Sequence, residues 1–349
     1  MADEDTDRGG LSGRTLAMAS LMPVFPDEPE QVPPLREPGP RIVTIDPLAR
    51  ALRAVVLVKA NVPKTARTAE TLGTERGGHG VIVDAEGLVV TVGYLVMEAT
   101  EVEVIDSGGR TLPAKVVAYD FATGFGLLRT TQPPRARPVT FGDSNRLKYK
   151  DQVIIAGHGG AKTARRVLVT DRRDFAGYWE YLLDNGIFTS PPYDSFGGAA
   201  LLNDHGQLLG IGSLQVGDAW RGPSGTLPGN MFIPIDRLKP LIEALREGRQ
   251  VGTPRPWLGL YAQQVPGELA IAYVSSDGPA ERAGLRRGDS IKTVGGEAVD
   301  EVSDFYRKVW AAGPPGTRIV LGIEREGDEF DVTLRSVDRM QYLRIETGS

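Results

Sequence analysis

No cysteine occurs anywhere in the 349 residues, which removes disulfides, thiol nucleophiles and cysteine-ligated zinc from consideration. That absence says little about compartment, because it merely permits an oxidising one. Histidine is scarce, with three copies. His79, His158 and His205 do not have metal-ligand spacing, so no metal and no cofactor is expected. Each of the three reads as a surface turn residue rather than a base. Gly157-His158-Gly159-Gly160 has the look of a phosphate loop but lacks the Lys-Ser/Thr pair and the helix that such a loop needs. No run reaches the roughly 18 apolar residues of a membrane span. The net charge is −5, and a basic stripe is missing: Arg165-Arg166 and Arg172-Arg173 are short and flanked by acidic or apolar residues. Nucleic acid is therefore not an expected partner. The opening Met1-Ala2-Asp3-Glu4-Asp5 is acidic and lacks the basic and apolar regions of a signal peptide. Taken as it stands, it suits a chain kept inside the cell or a mature form with an initiator Met.

Aromatic residues make up 7% of the chain against 43 Gly and 25 Pro, a turn-rich balance that favours many short strands over long helices. The length suits two domains plus tails. Residues 1–40 read as a proline-rich acidic tail, with seven prolines between Pro23 and Pro40 and eight acids against three bases. Proline fixes φ and removes an amide donor, so this tail cannot join a sheet interior. Leu21, Met22 and Phe25 offer an apolar anchor for docking. Residues 41–250 follow as strand after strand: Ala54–Val58, Gly80–Val83, Leu88–Thr91, Val102–Ile105, Ala114–Val117, Gln152–Ile155, Val167–Val169 and Leu208–Ile211. The turn Asp84-Ala85-Glu86-Gly87 marks a hairpin. The first helix is expected at Asp236–Glu247, with Leu238, Leu241, Ile242 and Leu245 on one face and Gly248 as its stop. After a short linker, residues 255–338 form a separate unit with helices at Ala280–Leu285 and Ser303–Ala312. Residues 339–349 read as a C-terminal tail.

Several segments, in order, resemble the HtrA/Deg family of trypsin-like proteases. They are Gly78-His79-Gly80-Val81-Ile82-Val83, Gly109–Val117, Phe141-Gly142-Asp143-Ser144 and Met231-Phe232-Ile233-Pro234. The resemblance implies a mainly β chain, with a chymotrypsin/trypsin-like double β-barrel of six antiparallel strands each and then an α+β PDZ domain. At the catalytic positions the sequence departs from the family. Its Thr-Asn-x-His-Val-Val motif is met by Thr91-Val92-Gly93-Tyr94-Leu95-Val96, which puts Tyr94 in place of the base; a phenol with a pKa near ~10 is a poor proton acceptor at neutral pH. Gly124 stands where the orienting aspartate should be. Anchoring on Leu201-Leu202-Asn203 puts Gly197 in the place of the nucleophile. A slipped register would offer Ser195 instead. On this reading no catalytic residue is expected, and the chain is a pseudoprotease and not an enzyme.

The PDZ resemblance is fuller. Trp257-Leu258-Gly259-Leu260 resembles the loop whose backbone amides bind a peptide's terminal carboxylate, and Ser276–Asp289 continues the family spacing. Phe305 and Val309 share a helix face and read equally well as core or as pocket lining. The resemblance implies peptide capture by β-augmentation. The expected function is a non-catalytic HtrA-like scaffold or adaptor that binds protein C-termini or extended peptides. The alternatives are an active serine endopeptidase with a rearranged site, or a holdase-like chaperone. The partner is a protein or peptide, within a homo-oligomer or a hetero-complex, and the family implies the periplasm or cell envelope.

Overall fold

The computed structural model describes residues 46–177, 179–249 and 254–343. The tail 1–40 and its apolar anchor lie outside the described residues. Strands β1 (Val55–Asn61), β2 (Glu75–Ile82), β3 (Leu88–Val92), β4 (Glu101–Ile105), β5 (Thr111–Tyr119) and β6 (Phe125–Thr130) close into one barrel in the order β1-β2-β3-β6-β5-β4. A second barrel follows from β7 (Gln152–Ala156), β8 (Arg165–Gly177), β9 (Tyr181–Ser190), β10 (Ala200–Leu202), β11 (Leu208–Gly222) and β12 (Gly225–Pro234), closed as β10-β11-β12-β9-β8-β7. Closure pairs every strand on both sides, so neither barrel leaves an edge open to a neighbouring chain. The local sequence explains the pairing. In β4, Glu-Val-Glu-Val-Ile alternates exposed and buried, while Leu-Val-Val-Thr-Val in β3 is buried throughout. The hairpin between β2 and β3 is set by Asp84, whose carboxylate accepts from the amides of Glu86 and Leu88 at 3.0 and 2.7 Å. Gly87 takes the positive φ that the turn requires, +93°.

A third sheet gathers β14 (Leu260–Val265), β15 (Glu268–Val274), β16 (Ser290–Val294), β18 (Arg318–Arg325) and β19 (Asp328–Arg335), with β17 (Glu297–Ala298) attached to β16. Its core is Leu258, Leu260, Ile271, Leu285, Tyr306 and Leu321 among others. A two-stranded ribbon of β13 (Pro256–Trp257) and β20 (Val337–Asp338) ties its two ends together. The turn Gly295-Gly296 has both residues at positive φ, as a tight hairpin demands. Among the described residues no helix is long and apolar enough to cross a membrane.

Three expectations about local structure are corrected. A helix at Asp46–Arg53 precedes the first strand, with Leu48, Ala51 and Leu52 buried; at eight residues its period was too short to read. The helix expected at Asp236–Glu247 is a 3-10 turn at Ile235–Arg237 and a separate short helix at Ile242–Arg246. Pro240 lies between them and has no amide to donate. The C-terminal tail expected from residue 339 opens with a helical turn, Arg339–Leu343, that buries Met340 and Leu343.

Candidate functional site

The residues singled out in the sequence fall into two neighbourhoods, a cleft between the barrels and the loop that opens the third sheet. In the cleft, Tyr94 sits in the 3-10 turn Gly93–Leu95 that follows β3, and its hydroxyl donates to the Ser213 carbonyl at 2.9 Å. Burial pushes this phenol above its ordinary range, so at neutral pH it is a donor and not a base. A Cβ added at Gly197 would lie 3.0 Å from the Tyr94 oxygen; positions 94 and 197 therefore face each other. Gly124 is tied to the same turn, its carbonyl accepting from the Gly93 amide at 2.7 Å. Its own Cβ direction, however, is filled by Tyr181, whose hydroxyl is 3.2 Å away. The fold thus brings two of the three positions together and turns the third toward the second barrel.

Ser195 is exposed on the turn that leads to β10. Below it lies the residue that sequence reasoning misplaced. His79 is not on a surface turn but inside β2, at 8% exposure. Its Nδ1 accepts from the His158 amide at 3.1 Å, which leaves the proton on Nε2, and the ring's N–H is paired with the Ser195 carbonyl. Burial lowers its pKa to about 4, the nearby His158 adds to the effect, and the Ser195 carbonyl only partly offsets it. The imidazole is neutral at pH 7. His158 is itself half-buried, with Nε2 2.9 Å from the Asp106 carbonyl, whereas His205 is exposed on a turn as expected. The main chain locks the turn in place: the His79 amide donates to the Gly197 carbonyl at 2.8 Å. Gly198, at φ +75°, could carry no side chain, since a Cβ would lie 1.8 Å from the His79 carbonyl oxygen. No alternation marked His79 for burial, because glycine flanks it on both sides.

The second neighbourhood is Trp257–Leu260. Gly259 has φ +75°, which turns the amides of Leu258, Gly259 and Leu260 toward one point, and a carboxylate occupies it. Glu180, at the tip of the β8–β9 hairpin, accepts from the Gly259 amide at 2.9 Å and from the Leu258 amide at 3.2 Å. The Leu260 amide is a third donor. Nothing in the sequence pointed to Glu180. Beside the loop, β14 is an end strand of its sheet. Phe305 and Val309 are both buried in the core of this unit, and their neighbour Tyr306 accepts the Glu180 amide at 2.9 Å through its hydroxyl.

Residues 78–211 match the family described as trypsin-like peptidase domain, and residues 256–335 match the PDZ domain family. A probable periplasmic serine endoprotease, DegP-like, of Brucella suis is 30% identical over 302 residues, 80% of this chain and 55% of that protein. The chain carries an HtrA/DegP-family trypsin-like protease domain with one PDZ domain. Its DegP-like relative in Chlamydia trachomatis is 29% identical, over 73% of this chain and 52% of that protein. The chain spans about half the length of the curated relatives it matches. Among solved structures, the HtrA-type protease AlgW with decapeptide has the same fold, with a TM-score of 0.50 and 22% identity, covering 84% of this chain and 98% of that one. These relatives correct the expectation that the HtrA-type chain is not an enzyme, since they are named serine endoproteases. That expectation equated the loss of three side chains, at Tyr94, Gly124 and Gly197, with the loss of activity. It also read His79 as a surface turn residue and not a base, whereas that imidazole is buried against the Ser195 turn.

Proposed function

We propose that this chain is an HtrA-type serine endopeptidase that captures polypeptides through its PDZ loop, by their C-terminal carboxylate or as extended segments. The observation that carries the reading is the convergence of the Leu258, Gly259 and Leu260 amides on one carboxylate. A loop that binds a carboxylate from inside the molecule has the chemistry to bind one from outside. The edge of β14 then supplies backbone partners for the residues that precede the terminus. Burying a hydrophobic terminal side chain there would contribute about 1.5–3 kcal/mol.

The hydrolytic half of the proposal assigns the reacting hydroxyl to Ser195 and the proton acceptor to His79. With Tyr94, Gly124 and Gly197 at the family's catalytic positions, and the Tyr94 phenol held as a donor, His79 is the imidazole in contact with the Ser195 turn. Its N–H is engaged by the Ser195 carbonyl, so the form described here is a resting one. Substrate has to shift the 191–198 turn and free Nδ1 from the His158 amide, so that the ring carries its proton on Nδ1 and Nε2 is open to accept from the Ser195 hydroxyl; catalytic hydrogen bonds do often tighten only in the complex. Action in the periplasm or cell envelope accords with the relatives' printed names. The test is labelling with a fluorophosphonate probe alongside casein cleavage. Labelling at Ser195 that is lost, together with cleavage, in Ser195→Ala is expected; a chain that neither labels nor cleaves overturns the hydrolytic assignment.

A further inference from the structure

The PDZ loop of this chain is already filled. Glu180 belongs to the second barrel and lies 79 residues before Gly259, yet its carboxyl group takes the place that the reading above reserves for a peptide terminus. We propose that Glu180 is a built-in competitor for the PDZ carboxylate site, so that a C-terminal peptide binds only by displacing it. The inference rests on the reading of Leu258–Leu260 as a carboxylate receptor and adds what controls access to it.

The surroundings are those of a ligand held in a site. Glu180 is 7% exposed and its backbone is in the left-handed region, at φ +57°, which L residues with a Cβ rarely adopt. That conformation is held by the Tyr306 hydroxyl on its amide at 2.9 Å and by Arg339, which donates to the Trp179 carbonyl at 3.3 Å. Arg307 on the PDZ helix Val302–Ala311 pairs with Asp174 of β8 at 3.1 Å. The hairpin is thus pinned to the PDZ unit from several sides, and the carboxyl group is delivered by the chain itself at high effective concentration.

The contact is poised rather than locked. Burial raises the Glu180 carboxyl to about 7, against the opposing pull of Arg339 and of the three amides. A cavity of about 790 Å³ adjoins it, lined by Tyr119, Asp120, Arg255, Trp257 and Arg339 among others. The side chain therefore has room to withdraw. A receptor that is open for only a fraction of the time shows an affinity weakened by that fraction, so an internal ligand that leaves the loop free a tenth of the time weakens peptide binding about tenfold.

The experiment uses the full chain and a fluorescent decapeptide that ends in Leu-Val, as the free acid and as its amide. Both are titrated against wild type, Glu180→Gly and Glu180→Gln. Glycine suits the positive φ, so the first variant removes the carboxyl group without straining the turn, and the second keeps its shape. The free acid is expected to bind at least about tenfold more tightly to Glu180→Gly than to wild type and no more tightly to Glu180→Gln, whose neutral side chain stands in for the protonated carboxyl group, with the peptide amide unchanged. If wild type and the variants prefer the acid over the amide and bind it equally well, the loop reads carboxylates but Glu180 does not compete, and the inference alone falls. If acid and amide behave alike, or neither binds any of the three proteins, the receptor reading fails and takes the inference with it.

Discussion

The cleft and the PDZ loop are both places where one part of the fold delivers a polar group to the backbone of another, but they differ in what is delivered. The cleft receives groups that stay neutral around pH 7: the Tyr94 phenol, which burial holds protonated, and the His79 imidazole, whose pKa lies near 4. The loop receives a carboxyl group that titrates near 7. The cleft should therefore keep its hydrogen bonds across the neutral range, whereas occupancy of the loop should vary within it. Recognition and hydrolysis on this chain have separate physical bases and can be broken separately.

The largest separation is expected from His79→Ala. Losing a general base removes on the order of 10²–10⁴ in rate, so casein turnover should fall by at least about 10²-fold while the affinity for the free-acid decapeptide stays as in wild type. A matching loss of peptide affinity would mean that the two sites are one. Next comes Gly259→Val. A side chain at φ +75° would press on the Trp257 ring at 3.1 Å, and left-handed backbone costs an L residue about 1–2 kcal/mol. Denaturant titration should show a loss of that order, accompanied by loss of the acid-over-amide preference; retention of that preference would place carboxylate binding elsewhere.

A smaller, severalfold effect is expected from pH. The docked carboxyl group has its pKa raised from 4.5 to about 7, so docking binds protons. Its contribution is full below the ordinary value and is lost as pH rises through about 7. Facing the group are Arg339 from the terminal helical turn and Tyr306 from the PDZ helix, with Asp120 and Arg255 across the adjoining cavity. A peptide terminus stays ionised throughout this range. Peptide affinity should therefore tighten between pH 6 and pH 8 in wild type and stay flat in Glu180→Gly, as read by fluorescence anisotropy. The smallest change is expected from Arg307→Ala. Its ion pair with Asp174 is half-exposed at both ends, and such pairs contribute at most about 1 kcal/mol; a larger gain in peptide affinity would make that bridge a main fastener of the hairpin.

The barrels were legible in the sequence because short strands, turn glycines and Asp84 all point the same way locally. The PDZ loop was legible because its glycine and apolar neighbours are contiguous. Glu180 was not. Its partners lie some eighty residues on, and a lone acid between Trp179 and Tyr181 carries no periodic signal. His79 was hidden for a related reason: its burial comes from the Ser195 turn and from His158, both supplied by the other barrel. The split of the expected Asp236–Glu247 helix was readable from Pro240, but the apolar face formed by Leu238, Leu241, Ile242 and Leu245 outweighed it in a reading by period alone.

The most direct test is amide hydrogen exchange at Leu258, Gly259 and Leu260 in the full chain without peptide. Slow exchange in wild type, faster exchange in Glu180→Gly, and protection restored by the free-acid decapeptide but not by its amide is the predicted result. Equal exchange at the three amides in the two proteins would contradict it, because the Glu180 carboxyl group would then not be what holds the loop.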